Sequence, residues 1–251
     1  MSENRFTVLI PSFNTGASLL RQTVTNVLGA TELPLLLVID GSTDGSGEAV
    51  KALEEEVDRF TILHLPQNSG KGEAVRHGVL HAVDHGFTHA LVMDADGQHP
   101  AESIDPMVAL VGEGDRTMIM GDPIFGPEAP LLRKAGRKVT LAWTDLESLW
   151  RGLGDTLFGM RVYPLQPLAT VFCKTRFARG FEFDPEVAVR LFWMGIQPIK
   201  IAVPCRYLSP EEGAVSHFHY LRDNLKLTAL HFRLVPEFLL CHLWRLLFAK
   251  K

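Results

Sequence analysis

The sequence predicts an α/β fold built on a mainly parallel sheet with helices on both faces. Short apolar runs recur along the first hundred residues, each closed by a polar or Gly/Pro-bearing turn, and stretches of helical spacing separate them. Polar clusters follow the strand ends directly, where open α/β sheets bind their ligands.

Residues 6–10 (Phe-Thr-Val-Leu-Ile), 35–39 (Leu-Leu-Leu-Val-Ile), 60–65 and 89–93 read as buried parallel strands. The first connection, 16–29, places Leu19, Leu20, Thr23, Val24, Val27 and Leu28 near helical spacing, and 46–57 and 71–85 supply two more helices. "GDPIFGPEAP" (121–130) holds three prolines and two glycines in ten residues and reads as a loop over a site. A helix at 131–151 and a strand at 197–203 follow, then helices at 216–234 and 236–249 separated by Pro236.

With 251 residues, 46% of them hydrophobic and 22% charged, the chain is long enough for a substantial core. A net charge of -4 gives no electrostatic reason to expect nucleic-acid binding. Cys173, Cys205 and Cys241 are widely spaced and match neither a disulfide framework nor a zinc site, which fits a reducing, cytoplasmic compartment. The N-terminus "MSENRFTVLIPSFN" lacks the features of a secretory signal.

Three polar loops, "PSFNTG", "DGSTDGS" and "DADGQHP", are therefore expected to line one crevice. In the third, Asp94 and Asp96 end a buried strand, where two carboxylates repel each other and resist desolvation unless a cation stabilises them. Asp94, Asp96 and the Gln98 carbonyl oxygen are hard ligands of the kind Mg2+ or Mn2+ prefers, with positions left for phosphate oxygens. A diphosphate-bearing substrate is the natural partner of such a site.

"VLIPSFNTGASL", "LLVIDGSTDGS", "LPQNSGKGEAVRHGV" and "ALVMDADGQHP", in this order and spacing over roughly 6–105, resemble the successive signatures of family 2 glycosyltransferases. The subgroup most similar is that of the dolichyl-phosphate mannose/glucose synthase-like enzymes. The resemblance implies a GT-A type, Rossmann-like mixed sheet, a nucleotide-sugar donor (UDP- or GDP-linked) and a divalent metal. It implies that Pro11, Ser12, Phe13 and Asn14 border base and ribose, that Asp40 accepts a hydrogen bond from the base, and that Asp94, Asp96 and Gln98 address metal and diphosphate. Lys71 would lie near the nucleotide, flanked by Gly70 and Gly72.

Two departures stand out: the family's paired aspartates appear here as Ile39-Asp40, and Phe158 replaces a small polar residue in "DTLFGMRVYP", which makes a more apolar acceptor pocket the expectation. Asp155 and Arg161 match the Asp and Arg of that later family pattern. Arg161, or Arg133 and Arg137 beside the Pro-rich loop, could hold phosphate oxygens. Transfer to a hydroxyl needs a general base, for which Asp155 is the first choice and Glu186, from the cluster Glu182, Asp184 and Glu186, the second; an anionic phosphate acceptor needs none. His217 and His219 suit packing or acceptor binding better than metal ligation.

Residues 221–251 carry six basic and two acidic residues, and "FLLCHLWRLLFAKK" is too short and interrupted for a membrane span, which needs about 20 apolar residues. It suits a helix lying in an anionic headgroup layer, or one docked on the domain. The organisation expected is a transferase domain over 1–215 and an amphipathic C-terminal segment over 216–251, on the cytoplasmic face of the membrane if peripheral. The function expected is inverting transfer of a sugar to a lipid-linked or lipophilic acceptor such as a polyprenyl phosphate. A non-catalytic nucleotide-sugar binder and, less readily, a nucleotidyltransferase are the alternatives.

Overall fold

A computed structural model describes residues 3–112, 117–126, 131–175, 179–206 and 220–244, with the side chains of 131–135 and 220–221 outside the description. The strands are β1 (Phe6–Ser12), β2 (Leu35–Asp40), β3 (Phe60–Leu65), β4 (His89–Val92), β5 (Met118–Phe125), β6 (Arg161–Pro164) and β7 (Pro198–Cys205). They form one sheet in the order β3-β2-β1-β4-β6-β5-β7. Every pairing is parallel except those of β6, which runs antiparallel to both β4 and β5. The helices are α1 (Ala17–Ala30), α2 (Glu48–Glu56), α3 (Lys71–Asp84), α4 (Ile104–Val108), α5 (Leu131–Glu147), α6 (Leu165–Lys174), α7 (Phe183–Trp193) and α8 (Tyr220–Glu237).

Successive residues of a strand point to opposite faces, so the sheet has a core on each side. Val8 and Ile10 pack with Leu20 and Val24 of α1 and Val50 of α2, whereas Leu9 and Val38 pack with Val75 and Val79 of α3. A methyl group at Gly78 would overlap Leu9, so the absent side chain lets α3 lie close on β1. Leu230, Leu234 and Phe238 bring α8 into the same core.

The four expected strands and the three helices between them are present, but 60–65 is less buried than expected. It is the edge strand, and Thr61 and His64 face solvent while Phe60 and Ile62 are buried. Residues 121–125 are strand rather than loop: β5 pairs with β7 along its whole length, while β6 meets it only at Ile119 and Met120. From Gly121 on, β5 has a strand partner on one side, a position that tolerates Pro123. Residues 127–130 of that stretch lie outside the described residues.

Pro236 does not separate two helices. It sits in the last turn of α8, and the chain widens directly into a π-helical turn at Phe238–His242, where the Leu243 N–H reaches back to the Phe238 carbonyl. The extra residue in that turn accommodates the proline without stopping the helix. At α5 the end comes at Glu147, before Leu149 and Trp150 adopt φ of +53°. Strand β6 is four residues long and wholly buried, too short to show a period in the sequence.

Candidate functional site

The carboxyl ends of β1, β2 and β4 open into a cleft of about 940 Å3. Pro11, Ser12, Phe13, Asp40, Lys71, Asp94, Asp96 and Gln98 all line it, so eight of the expected site residues converge. Asn14 sits behind the rim at φ +44°: its N–H donates to Ser42 Oγ at 3.0 Å and its Oδ1 accepts the Thr43 N–H at 2.8 Å, stapling the first loop to the second. The Asp40 carboxylate closes the loop that follows β3 onto β2, accepting the Ser69 N–H at 2.9 Å and the Gly70 N–H at 2.8 Å. Burial pushes its carboxyl above the ordinary range against the pull of those two amides.

Lys71 opens α3. The Gly72 and Glu73 N–H groups donate to the Arg179 carbonyl, at 2.8 and 3.3 Å, so the helix start is already capped by backbone. The side chain instead delivers charge to the cleft floor: Lys71 Nζ lies 2.6 Å from Asp94 Oδ1 and 2.7 Å from Asp184 Oδ2. Burial alone would lower this ammonium's pKa, but Asp184 and Asp94 outweigh it and hold the group above its usual value.

Asp94 and Asp96 differ although only Ala95 separates them. Burial pushes the Asp94 carboxyl up, and Lys71, His99 and Arg161 more than cancel that, leaving it below the ordinary range. The Asp96 carboxyl is pushed up, first by burial and then by Asp94, with the Gln98 N–H donating to its Oδ1 at 3.0 Å. Among the described residues no set of three or more His, Cys, Asp and Glu side chains converges as a ready cation cage. Asp94 and Asp96 fit a divalent ion that takes further ligands from a substrate. Gln98 lines the cleft with them, and its main-chain carbonyl accepts the Arg206 N–H at 3.1 Å, which leaves the side-chain amide oxygen as the less committed of its two carbonyl oxygens.

The expected catalytic residues sit one step behind the cleft. Asp155 grips Arg137 through two hydrogen bonds of 2.8 Å, and it is Arg137 that lines the cleft, its cation 5.2 Å from the Phe125 ring. Arg161 is fully buried; its Nη1 donates to Tyr163 Oη, the Asp184 carbonyl and Asp184 Oδ1, while Nε and Nη2 have no hydrogen-bond partner among the described residues. Glu186 is buried between Arg190 at 2.9 Å and Arg233 at 2.7 Å. Phe158 does not make the cleft apolar: it is 3% exposed and meets the His99 ring edge-on, and Leu157 lines the cleft in its place. The Arg133 side chain, His217 and His219 lie outside the described residues.

Asp184 was legible only as one carboxylate of three, and its pairing with Lys71, 113 residues away, comes from the fold. Arg222, Lys226 and Arg233 also line the cleft. Their spacing of four and seven residues along α8 is the signal that could have found them, since it keeps one face of a helix.

A family described as glycosyl transferase family 2 matches residues 7–172. Among curated proteins, the chain is 24% identical to undecaprenyl-phosphate mannosyltransferase of Micrococcus luteus, covering 83% of the chain and 86% of that protein. It is 23% identical to polyprenol monophosphomannose synthase of Mycolicibacterium smegmatis, covering 79% and 76%. It is 25% identical to glycosyltransferase GlyG of Streptococcus pneumoniae over 74% of the chain but only 64% of that longer protein. Glucosyl-3-phosphoglycerate synthase from Mycobacterium tuberculosis superposes with a TM-score of 0.63 at 14% identity, over 92% of this chain and 77% of that one. Mannosyltransferase PcManGT from Pyrobaculum calidifontis does so with a TM-score of 0.63 at 18% identity, over 94% and 65%. These structures show the GT-A type fold, with its mixed, mostly parallel sheet.

Proposed function

The chain belongs to glycosyl transferase family 2, and from that premise we propose that it moves a sugar, with inversion, from a UDP- or GDP-linked donor to a lipid-linked phosphate acceptor. The observation that carries the reading is the lining of one cleft, which brings Asp94 and Asp96 together with Arg137, Arg222, Lys226 and Arg233. The Mycolicibacterium and Micrococcus relatives, named for transfer to polyprenol and to undecaprenyl phosphate, point the same way.

Asp94, Asp96 and the Gln98 amide would hold Mg2+ or Mn2+. Bound there, the ion would neutralise charge on the departing nucleotide diphosphate. The remaining work falls to the chain's own side chains. Pro11, Ser12 and Phe13 form the wall for base and ribose, with Asp40 at its end. Lys71 places an ammonium against the diphosphate. Arg137, held in register by the two bonds from Asp155, offers a fork of donors to a phosphate acceptor, and Glu186 does the same for Arg233. A phosphate oxygen is already a nucleophile, so Asp155 and Glu186 act by positioning arginines, and no carboxylate need take a proton. Arg161 holds Asp184, which in turn holds Lys71.

The acceptor's tail implies contact with a membrane. No helix among the described residues is long and apolar enough to cross one. The 216–251 segment would instead lie on the cytoplasmic face, through Leu239, Leu240 and Trp244, all exposed, with Arg245, Lys250 and Lys251 in the sequence beyond.

The test is calorimetric titration with UDP and GDP, with and without Mn2+, on the intact protein, Asp96→Ala and Arg137→Ala. The reading expects metal-dependent binding of one nucleotide, its loss in Asp96→Ala, and its retention in Arg137→Ala, whose defect would be at least a tenfold higher KM for polyprenyl phosphate. Nucleotide binding indifferent to both Mn2+ and Asp96 would sink it.

A further inference from the structure

We infer that Lys71 is a resident cation that competes with the divalent ion for Asp94, so that the ion binds tightly only once the nucleotide diphosphate draws the ammonium away. The inference rests on the reading of Asp94 and Asp96 as the ion's ligands and adds an order of events to it.

Asp94 is held by Lys71 on one side and hemmed in by Gly159 on the other. Oδ1 is 2.6 Å from Lys71 Nζ, and Oδ2 packs so closely on Gly159 that a methyl group there would overlap it. The ammonium has somewhere else to stay, because Asp184 Oδ2 is 2.7 Å away on its other side and Asp184 is itself anchored by Arg161. The backbone under Lys71 is locked: Gly72 N–H is bonded to the Arg179 carbonyl, and a side chain at Gly70 would run into that same carbonyl. Only the lysine side chain is free to swing, between Asp94 and Asp184 or toward an arriving phosphate.

Charge sets the direction. Three floor carboxylates (Asp94, Asp96 and Asp184) face two cations (Lys71 and Arg161), leaving one unmatched negative charge. A divalent ion arriving alone overshoots that and meets the ammonium at short range, where like charges repel strongly. An ion arriving with a diphosphate does not, since the phosphate oxygens take up both cations. Without Lys71 the floor carries two unmatched charges, the complement of a divalent ion.

The experiment is Mn2+ titration of the nucleotide-free full chain, read by the loss of the free-ion paramagnetic resonance signal, for wild type, Lys71→Met, Lys71→Gln and Lys71→Arg. Lys71→Met is expected to bind Mn2+ at least tenfold more tightly than wild type, Lys71→Arg to match wild type, and the gain to vanish when Asp96→Ala is added. Lys71→Gln, which keeps a hydrogen bond to the carboxylates, gives the same reading should Lys71→Met not fold. Equal or weaker Mn2+ binding by the neutral variants, or an equal gain in Lys71→Arg, overturns the inference. Adding UDP separates this from the underlying reading: a wild type that takes up no Mn2+ even with UDP counts against the metal site as proposed, whatever Lys71 does.

Discussion

Gly159 shows how much a single residue decides in this cleft. Its missing side chain makes room for the Asp94 carboxylate, which Lys71 then holds from the other side. Gly159→Ala should push Asp94 off both partners, at a stability cost of about 1–3 kcal/mol, the range for crowding a packed site. Nucleotide affinity should fall at least tenfold while the thermal midpoint moves by only a few degrees; calorimetry and a melting curve on the same sample check both. Unchanged binding would mean that Asp94 is not where the diphosphate is received. Lys71 itself is a stabilising contact over a wide pH range. Its pKa is raised, so its contribution is complete below the ordinary value of 10.5 and fades only as pH climbs through the higher folded value.

Helices α5 and α8 both line the cleft and are tied by a buried pair, His231 Nδ1 to Glu147 Oε1 at 2.9 Å, with the Trp143 ring stacked 5.9 Å from His231. Burial pushes the Glu147 carboxyl up, with His231 pulling the other way, and the net direction is upward. A carboxylate raised in the folded state binds its proton more tightly there than in the unfolded chain. Stability is therefore lost as pH rises from the ordinary value of 4.5 through the folded value. Glu147→Gln keeps an acceptor for His231 and removes the ionisation. Relative to wild type, its urea midpoint should rise as pH climbs from the ordinary value of 4.5 through the folded value. A difference that does not depend on pH would show that Glu147 ionises freely where it sits.

At the scale of the whole molecule, one helix serves two surfaces. The face of α8 bearing Arg222, Lys226 and Arg233 lines the cleft, and Leu227, Leu230 and Leu234 pack into the core. Leu225, Phe232 and Leu239, seven residues apart, stay exposed with Leu240 and Trp244. A lipid acceptor held by the first face would have its tail near the third. The triple change Phe232→Ser, Leu239→Ser and Leu240→Ser touches none of the cleft residues. It should lower partitioning onto vesicles containing anionic lipid several-fold and leave UDP or GDP affinity as it was, by sedimentation and calorimetry respectively. Undiminished partitioning would remove this surface from the membrane reading.

The first half of the sheet was legible from residue pattern alone, because β1, β2 and β4 are buried on both faces and read as nearly continuous apolar runs, and so was the meeting of their ends, because strands in such a sheet run parallel. Pro11, Ser12, Phe13, Asp40, Lys71, Asp94, Asp96 and Gln98 were legible for that reason. The second half was set by tertiary packing. Strand β6 carries too few residues for a period, Pro123 hid β5 until its one-sided pairing was known, and Pro236 passes through a helix that widens to admit it. Tertiary packing also decided what Asp155, Glu186 and Asp184 hold. A carboxylate's partner is set by which side chain shares its space, and Lys71 and Asp184, 113 residues apart, are brought to 2.7 Å by packing that no local pattern records.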